Sequence, residues 1–224
     1  MAVLVLQEGS EMVQPVEVLN LGLVEHNEAD VLMREMQAMR LAEEIPDTLL
    51  ICEHPEIVTV GPRARNDGIS PPPDYASTPV DRGGGLTWHG PGQIVAYPIF
   101  HWQDENSVQE VINKIEAWII SSLYEVGIVG ERDSRMQGVW VNGHKIASIG
   151  LSFLKWVSRH GFTINLDTPP GRVELLAGCG LEASTTTSLN RLGHEITREQ
   201  IITALLETMP RAIKRELKTP QPSA

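Results

Sequence analysis

The sequence has only two cysteines, Cys52 and Cys179, among its 224 residues. Two cysteines form at most one bridge, so a disulfide framework is excluded. No stretch approaches the roughly 18 to 20 apolar residues that a membrane helix needs. Residues 1–14 lack the basic start and the long apolar run of a signal peptide. We therefore expect a cytoplasmic protein with no membrane association, in a compartment where a free thiol persists.

Positive charge is also scarce, with 18 Lys and Arg against 29 Asp and Glu and a formal net charge of -11. General nucleic-acid binding needs a basic face, so the composition argues against it. The seven histidines show no zinc-type spacing, and we expect no metal site. A local basic patch remains compatible with an acidic chain.

The rest of the composition is that of an ordinary globular protein, with 42% hydrophobic residues. The chain is long enough to bury one sizeable core. We expect a single domain over residues 1–224. Its ordered part covers about residues 16–217, between a short N-terminal arm and a flexible tail from Lys218 onward.

Three segments have the apolar period of a helix. They are His26–Ile45, Ser107–Val126 and Thr197 to about Met209. A capping box of Ser107 with Glu110 starts the second, and one of Thr197 with Gln200 starts the third. Pro210 is expected to end or kink the third helix.

Strands are predicted between these helices, and the dipeptide Asn142-Gly143 predicts a hairpin. The proline-rich segment Ser70–Pro79 is predicted to be a loop. Together the elements indicate an α+β fold with a mixed, mainly antiparallel β-sheet and packed helices. The predicted strands are Val16–Leu21, Thr48–Cys52, Ile57–Val60, Gln93–Phe100 and Val157–Leu166.

The run from Arg82 to Gln93 contains five glycines, which is too many for an ordinary strand because of their chain entropy. Glycine allows close backbone approach and leaves amide donors free. We therefore expect something to be held against the backbone here. It is not a phosphate-binding P-loop, since no Gly-Lys-Ser/Thr follows.

Cys179 lies between Gly178 and Gly180, which leave its sulfur approachable. A nucleophilic cysteine needs a partner that favours the thiolate. The candidates are His89, His160 and Lys145. Cys52, by contrast, lies in an apolar strand and is most simply a core residue.

Lys145 follows the hairpin turn, where a lysine is ordinarily a solvated surface charge. Its small apolar neighbours offer the alternative, a desolvated amine with a lowered pKa. For His160 the simplest interpretation is a histidine at a strand turn. Three further histidines, His26, His101 and His194, are expected at the surface.

The segment Arg82-Gly-Gly-Gly-Leu-Thr-Trp-His-Gly-Pro-Gly-Gln93 resembles the signature of the lipoyl(octanoyl) transferase family of lipoate biosynthesis. Further segments are similar to that family in the same order, over nearly the whole chain. They are Gly138-Val-Trp-Val with Lys145-Ile-Ala-Ser-Ile-Gly150, His160-Gly-Phe-Thr-Ile-Asn165, and Cys179-Gly-Leu181 with Thr187-Ser-Leu189. The family usually has alanine or serine where Thr163 stands.

The resemblance implies a fold like the catalytic domain of biotin and lipoate ligases. It implies that Cys179 takes the octanoyl group as a thioester, and that Lys145 lowers the cysteine pKa and relays protons. It also implies an acyl channel as the substrate-binding site. Its lining would be Arg82, Gly83, Gly84, Gly85, Leu86, Thr87, Trp88, His89, Ser148, Ile149, Gly150, Gly161, Phe162 and Thr163.

The function implied is transfer of an octanoyl group from octanoyl-acyl carrier protein to a lipoyl-domain lysine. The acceptors would be the lipoyl domains of 2-oxoacid dehydrogenases and the glycine cleavage H protein. No cofactor is needed, because the thioester donor is already activated, and a monomer is expected. Both partners in the family are acidic, so Arg63, Arg65, Arg82, Lys155 and Arg159 are predicted to form a basic rim.

Three other functions compete with this one. An ATP-dependent lipoate or biotin protein ligase on the same fold would form an adenylate. A cysteine hydrolase would release free octanoate without an acceptor protein. A non-catalytic binder of lipoyl domains or acyl carriers would keep its affinity after Cys179→Ala and form no covalent adduct.

Overall fold

The structure, a computed structural model, describes residues 13–176 and 185–218. These residues form ten strands and four α-helices. In chain order they are β1 (Gln14–Leu23), α1 (His26–Leu41), β2 (Asp47–Glu53), β3 (Ile57–Val60), α2 (Pro62–Asn66), β4 (Ser77–Pro79), β5 (Leu86–His89), β6 (Gln93–Ile99), α3 (Val108–Glu125), β7 (Val139–Val141), β8 (His144–Leu154), β9 (Val157–Asn165), α4 (Arg198–Ile213) and β10 (Arg215–Leu217).

Seven strands form the main sheet in the order β10-β1-β2-β6-β9-β8-β7. The pairs β10-β1 and β1-β2 are parallel, and the remaining neighbours are antiparallel. A smaller sheet has the order β4-β3-β5. The predicted α+β fold with a mixed, mainly antiparallel sheet is therefore confirmed.

Alternating side chains of the main sheet face two different helix layers, as the period of a strand requires. Leu49 and Ile51 belong to the core beneath α3 and α4, where Trp118 is fully buried. Leu50 and Cys52 face α1 on the other side. The prediction that Cys52 is a core residue is confirmed.

The helix predictions hold for position and differ at their ends. The helix α1 stops at Leu41, because the last four residues of the predicted span form a turn. The capping box of Thr197 and Gln200 is present at α4. At α3 only half of the box forms, because the Glu110 carboxylate accepts from the amide of Asn106. No helix in the described part of the chain is long and apolar enough to cross a membrane.

Three local predictions differ from the structure. Pro210 was expected to end or kink the third helix, and it does not end it: α4 continues to Ile213, because Met209 and Ile213 on either side are buried in the core and hold the last turn in place. The predicted loop Ser70–Pro79 contains the short edge strand β4, where proline is tolerated. The glycine-rich run contains the strand β5, which pairs with β3.

Candidate functional site

A cleft of about 560 Å³ opens between the glycine-rich run and the β8–β9 end of the main sheet. Lys145 of β8 and Thr163 of β9 lie on one wall, and Thr87 of β5 lies on the other. The cleft therefore joins residues from both sheets. Its lining is Arg63, Arg82, Gly83, Gly84, Gly85, Leu86, Thr87, Trp88, Gln93, Ser134, Arg135, Met136, Gln137, Lys145, Ser148, Ile149, Thr163, Asn165, Val173, Leu176 and Thr186.

The buried side chain of Arg82 holds the glycine-rich run in place. Only 7% of Arg82 is exposed. Its guanidinium donates to the carbonyls of Gly83 and Gly85, each at 3.1 Å, and to the hydroxyl of Thr59 at 2.7 Å. A guanidinium buried this way cannot serve an exposed basic rim, so that part of the rim prediction is wrong.

The run lies directly against the turn between β3 and α2. A Cβ atom built on Gly61 would lie 2.3 Å from the carbonyl oxygen of Gly84. The amide of Gly61 donates to the carbonyl of Gly85 at 3.0 Å. The sequence predicted that something packs against this glycine-rich backbone. In the structure that partner is the chain's own backbone at Gly61.

Lys145 lies at the start of β8 and is 6% exposed. The ordinary expectation of a solvated surface lysine is therefore wrong, and the desolvated alternative is right. Burial and the nearby charge of Arg82 lower the pKa of Lys145 to about 8, against an opposing effect of Glu116. An amine with this pKa exchanges protons near neutral pH.

A buried carboxylate supports the wall behind Lys145. Glu116 of α3 accepts from the amide of Gly138 at 2.9 Å and from Nε of Arg132 at 2.7 Å. A Cβ atom on Gly138 would lie 2.7 Å from Cε of Lys145, so the Gly138 backbone abuts the lysine stem. Glu116 was missed in the sequence because it looks like any acidic residue of an amphipathic helix.

Cys179 lies outside the described residues, but both flanks of its segment lie at the cleft. Leu176 and Thr186 line it. The amide of Lys145 donates to the carbonyl of Thr185 at 2.9 Å, and the amide of Thr187 donates to the carbonyl of Lys145 at 3.0 Å. Since Cys179 follows Leu176 by three residues, connectivity limits the distance between their Cα atoms to about 11 Å.

A smaller chamber of about 20 Å³ adjoins the cleft and shares lining residues with it, including Arg82, Thr87 and Thr163. Of the residues predicted to bind substrate, His89, Gly150, Gly161 and Phe162 line this chamber alone. All the others line the cleft. Every predicted substrate-binding residue therefore lines one of these two adjoining spaces.

His89 and His160 are committed to other contacts, whereas the Lys145 backbone is hydrogen-bonded to Thr185 and Thr187, which follow the Cys179 segment in the chain. His89 contacts Oε1 of Gln93 at 3.0 Å and the hydroxyl of Thr59 at 3.2 Å. Nε2 of His160 lies 2.8 Å from Oδ1 of Asp81. His160 also lies within β9 and not at a turn, so its predicted position is wrong. Burial lowers the pKa of both imidazoles.

His26, expected at the surface, is only 4% exposed and lines the chamber. The other two histidines expected at the surface, His101 and His194, are half-buried. Burial lowers the pKa of His26 to about 4. The signal was present in the sequence, because His26 lies three residues before Ala29 on the buried face of α1.

Amide side chains connect the two walls of the cleft. Nε2 of Gln93 donates to the carbonyl of Trp88 and to Oδ1 of Asn165, each at 2.9 Å. Nδ2 of Asn165 donates to the carbonyl of Thr187 at 3.0 Å. Both amides close the sequence motifs quoted above, yet neither was predicted to belong to the site.

Two predicted basic-rim residues besides Arg82 also lie away from the rim. Arg159 is buried and pairs with Asp81. Lys155 lies in the turn after β8, at the opposite end of that strand from Lys145. At about 3.3 Å per strand residue, the two lysines are on the order of 30 Å apart. Arg63 is exposed and lines the cleft, and Arg135 joins it. Within residues 13–176 and 185–218, no three His, Cys, Asp or Glu side chains form a group that could hold a metal ion.

Comparison with known proteins identifies relatives over most of the chain. The family described as "Lipoyl protein ligase A/B catalytic domain" matches residues 27–210. A protein of Syntrophobacter fumaroxidans named octanoyltransferase is 33% identical, covering 92% of this chain and 93% of its own. An octanoyltransferase of Rubrobacter xylanophilus is 39% identical over 78% of this chain and 83% of its own.

Solved structures with the same fold include a lipoate-protein ligase A bound with ATP, at a TM-score of 0.66 and 10% identity. That match covers 95% of this chain and 90% of the ligase. The biotin protein ligase of Aquifex aeolicus matches at a TM-score of 0.52 and 12% identity, over 91% of this chain and 70% of the ligase. At these identities the likeness concerns the fold, and it confirms the predicted ligase-like catalytic fold.

Proposed function

Because the chain belongs to the lipoyl protein ligase A/B catalytic-domain family, we propose that it is an octanoyltransferase of protein lipoylation. The reaction moves an octanoyl group from octanoyl-acyl carrier protein, through Cys179, onto a lipoyl-domain lysine. The curated relatives named octanoyltransferase support the acyl-transfer activity. The observation that carries the mechanism is the buried amine of Lys145, in the cleft where both flanks of the Cys179 segment lie.

In the first step the Cys179 thiolate attacks the carbonyl carbon of the donor thioester. A new carbon–sulfur bond forms and the bond to the carrier thiolate breaks. The carrier thiolate takes a proton from the Lys145 ammonium, which supplies it readily because the pKa of that amine is lowered to about 8. One thioester replaces another, so no ATP is required.

In the second step the neutral amine of the acceptor lysine attacks the Cys179 thioester. An amide bond forms, the Cys179 thiolate leaves, and Lys145 accepts the proton that the attacking amine loses. The glycine-rich run supplies backbone close to the acyl group, and the cleft of about 560 Å³ receives the chain. Each buried methylene stabilises the bound acyl chain by about 0.8 kcal/mol.

The proposed acceptors are lipoyl domains, including those of 2-oxoacid dehydrogenases and the glycine cleavage H protein. Among the described residues of the cleft lining the exposed charged side chains are Arg63 and Arg135, and none of the lining residues is acidic. In a chain of net charge -11 this suits acidic partner proteins. We place the reaction in the cytoplasm, where Cys179 stays reduced.

The test is intact-protein mass spectrometry after mixing the enzyme with octanoyl-carrier protein in the absence of ATP. Wild type should carry an octanoyl adduct that hydroxylamine removes, and Cys179→Ala should carry none. Lys145→Ala should form the adduct about 100-fold more slowly, because proton transfer is impaired.

Two matched variants control this experiment. Cys52→Ala should load normally, because the buried Cys52 thiol has its pKa raised to about 12 by burial and stays protonated. Lys155→Ala should also load normally, since Lys155 lies in an exposed turn far from the cleft. An adduct that survives in Cys179→Ala would contradict the mechanism.

The second candidate is an ATP-dependent lipoate or biotin protein ligase, favoured by the fold shared with such ligases. It predicts no adduct from the carrier thioester. Labelling of the acceptor would then occur only with ATP and free acid. That result would leave Cys179 as a structural residue.

A further inference from the structure

The chamber contains a buried imidazole whose hydrogen-bonding capacity is unused. His26 is 4% exposed and lines the chamber. Among the described residues, no hydrogen-bond partner is found for either of its ring nitrogens. Neither ring nitrogen is sealed from solvent, so the donor and the acceptor of the neutral imidazole are open to a partner in the chamber.

The neighbouring rings do not meet this need, because they are committed elsewhere. The rings of His54 and His89 lie 5.3 and 5.8 Å from that of His26, centroid to centroid. Nδ1 of His54 donates to the carbonyl of Val24, so Nε2 accepts the hydroxyl proton of Tyr97 at 2.7 Å. His89 is bound on both nitrogens.

Other polar groups face the same chamber. The Tyr97 hydroxyl keeps acceptor capacity after donating to His54, and it lines the chamber. His160 lines it too, with only Nε2 bound, to Asp81. A space of about 20 Å³ is large enough for one water-sized group, and a water needs two to four polar partners.

We propose that this chamber is a subsite for one polar atom held by His26. In the free protein the occupant is a water molecule. This inference rests on the proposed function, whose octanoyl substrate ends in a methyl group; only a donor chain that reaches the chamber and ends in a hydroxyl can take the place of that water. His26 thereby becomes a specificity-determining residue for chain length and for the chain terminus.

The reason is the cost of replacing the water with carbon. A methyl-ended chain that reaches the chamber expels the water and leaves the His26 imidazole unpaired, which lowers affinity. A chain ending in a hydroxyl restores the hydrogen bond. Sites built to hydrogen-bond a substrate group reject analogues that lack it more strongly than apolar pockets reject a methylene.

The experiment compares acyl-carrier donors of even length from hexanoyl to decanoyl, each as a methyl-ended and an ω-hydroxy form. The kcat/KM of Cys179 acylation gives a hydroxyl-to-methyl ratio at each length. We expect that ratio to rise about 10-fold at the length that reaches the chamber. The rise should vanish in His26→Leu and persist in His26→Gln, which keeps a polar group.

A ratio that does not change with chain length in wild type, or that is unchanged in His26→Leu, would overturn the inference. His101→Leu is the matched control outside the chamber and should behave as wild type. Thermal unfolding of each variant separates misfolding from altered specificity.

A high-resolution crystal structure of the free protein separates this inference from the proposed function. Solvent within hydrogen-bond distance of a His26 nitrogen supports the subsite, and its absence there overturns it. If no thioester donor acylates Cys179 at all, the proposed function fails. The crystal structure then tests the His26 subsite independently of the proposed function.

Discussion

The buried amine of Lys145 lies between two charges of opposite sign. Arg82 lowers its pKa and Glu116 raises it, in addition to the larger effect of burial. Two buried cations beside each other would be costly without an anion. Glu116 supplies that anion and also fixes the Gly138 backbone against the lysine stem. It is therefore a candidate positioning residue that acts through Lys145.

Glu116→Gln tests this position at the scale of a single residue. The amide oxygen can still accept from Gly138, but the negative charge is lost, so the pKa of Lys145 should fall below about 8. The readout is the pH dependence of Lys145 modification by an amine-reactive reagent, followed by peptide mass spectrometry.

Arg132→Gln is the matched control for that variant. It removes the ion pair at 2.7 Å but leaves the Glu116 charge beside Lys145. The pKa of Lys145 should then change less than in Glu116→Gln. An identical labelling profile in wild type and Glu116→Gln would refute the electrostatic role of Glu116.

At the scale of elements, the neighbouring strands β6 and β9 of the main sheet form part of the chamber wall. Gly161 of β9 lies directly on the β6 backbone. A Cβ atom there would lie 2.1 Å from the carbonyl oxygen of Ala96 and 2.6 Å from Cδ of Pro98. Since a carbonyl of a central strand cannot give way cheaply, the pair must separate to admit a methyl group.

Gly161→Ala should therefore destabilise the fold by about 3 kcal/mol, the upper range for overpacking a core. Urea unfolding measures the change. Gly22→Ala is the control, because nothing lies within 4 Å of its Cβ position and only its φ of +62° is unfavourable. Equal losses of unfolding free energy in the two variants would mean that the close contact with the β6 backbone does not contribute to the effect.

Local signals in the sequence were enough for the three long helices, the hairpin and the core strands, because each depends on its own period or turn, but they did not predict the short helix α2. They failed where distant contacts decide the structure. The edge strand β4 forms because Ser77–Pro79 pairs with β3, and α4 continues past Pro210 because core packing holds its end.

The site divides in the same way. The motifs gave most of the residues that line the cleft and chamber from the glycine-rich run, β8 and β9, but not Gln93 and Asn165. Glu116 and His26 come from the helices α3 and α1, which approach the site only through packing on the sheet. Their chemistry depends on burial, which nothing in the sequence signals for Glu116 and which only the place of His26 on the buried face of α1 signals for that residue.

At the scale of the whole molecule, the interior holds an unusual number of histidines. His26, His54, His89 and His160 are all buried, and burial lowers the pKa of each from its ordinary value. The folded state therefore excludes protons that the unfolded chain binds below about pH 6.5. Stability is fully present above that pH and is lost as the pH falls.

For His26, whose pKa is lowered to about 4, we expect the free energy of unfolding to drop between pH 6.5 and pH 4 by up to about 1.4 kcal/mol per pH unit, and the other three histidines act in the same direction. Urea titrations at a series of pH values measure the slope. His26→Leu should make the unfolding free energy fall less steeply with pH in this window. The variant lacks one imidazole that binds a proton more readily in the unfolded chain than in the folded protein. A stability that stays level from pH 7 to pH 5 would contradict the expected effect.

The parallel pairing of β1 with β10 has a consequence for synthesis on the ribosome. Gln14 to Val16 pair with Arg215 to Leu217, and Arg215 also reaches Asp47 of β2 at 2.8 Å. The outer edge of β1 therefore stays open until nearly 200 further residues have been translated, which takes on the order of 10 to 40 seconds at 5 to 20 residues per second. Nascent chains of this protein present an unpaired strand edge, a natural substrate for chaperones, for almost the whole of their elongation.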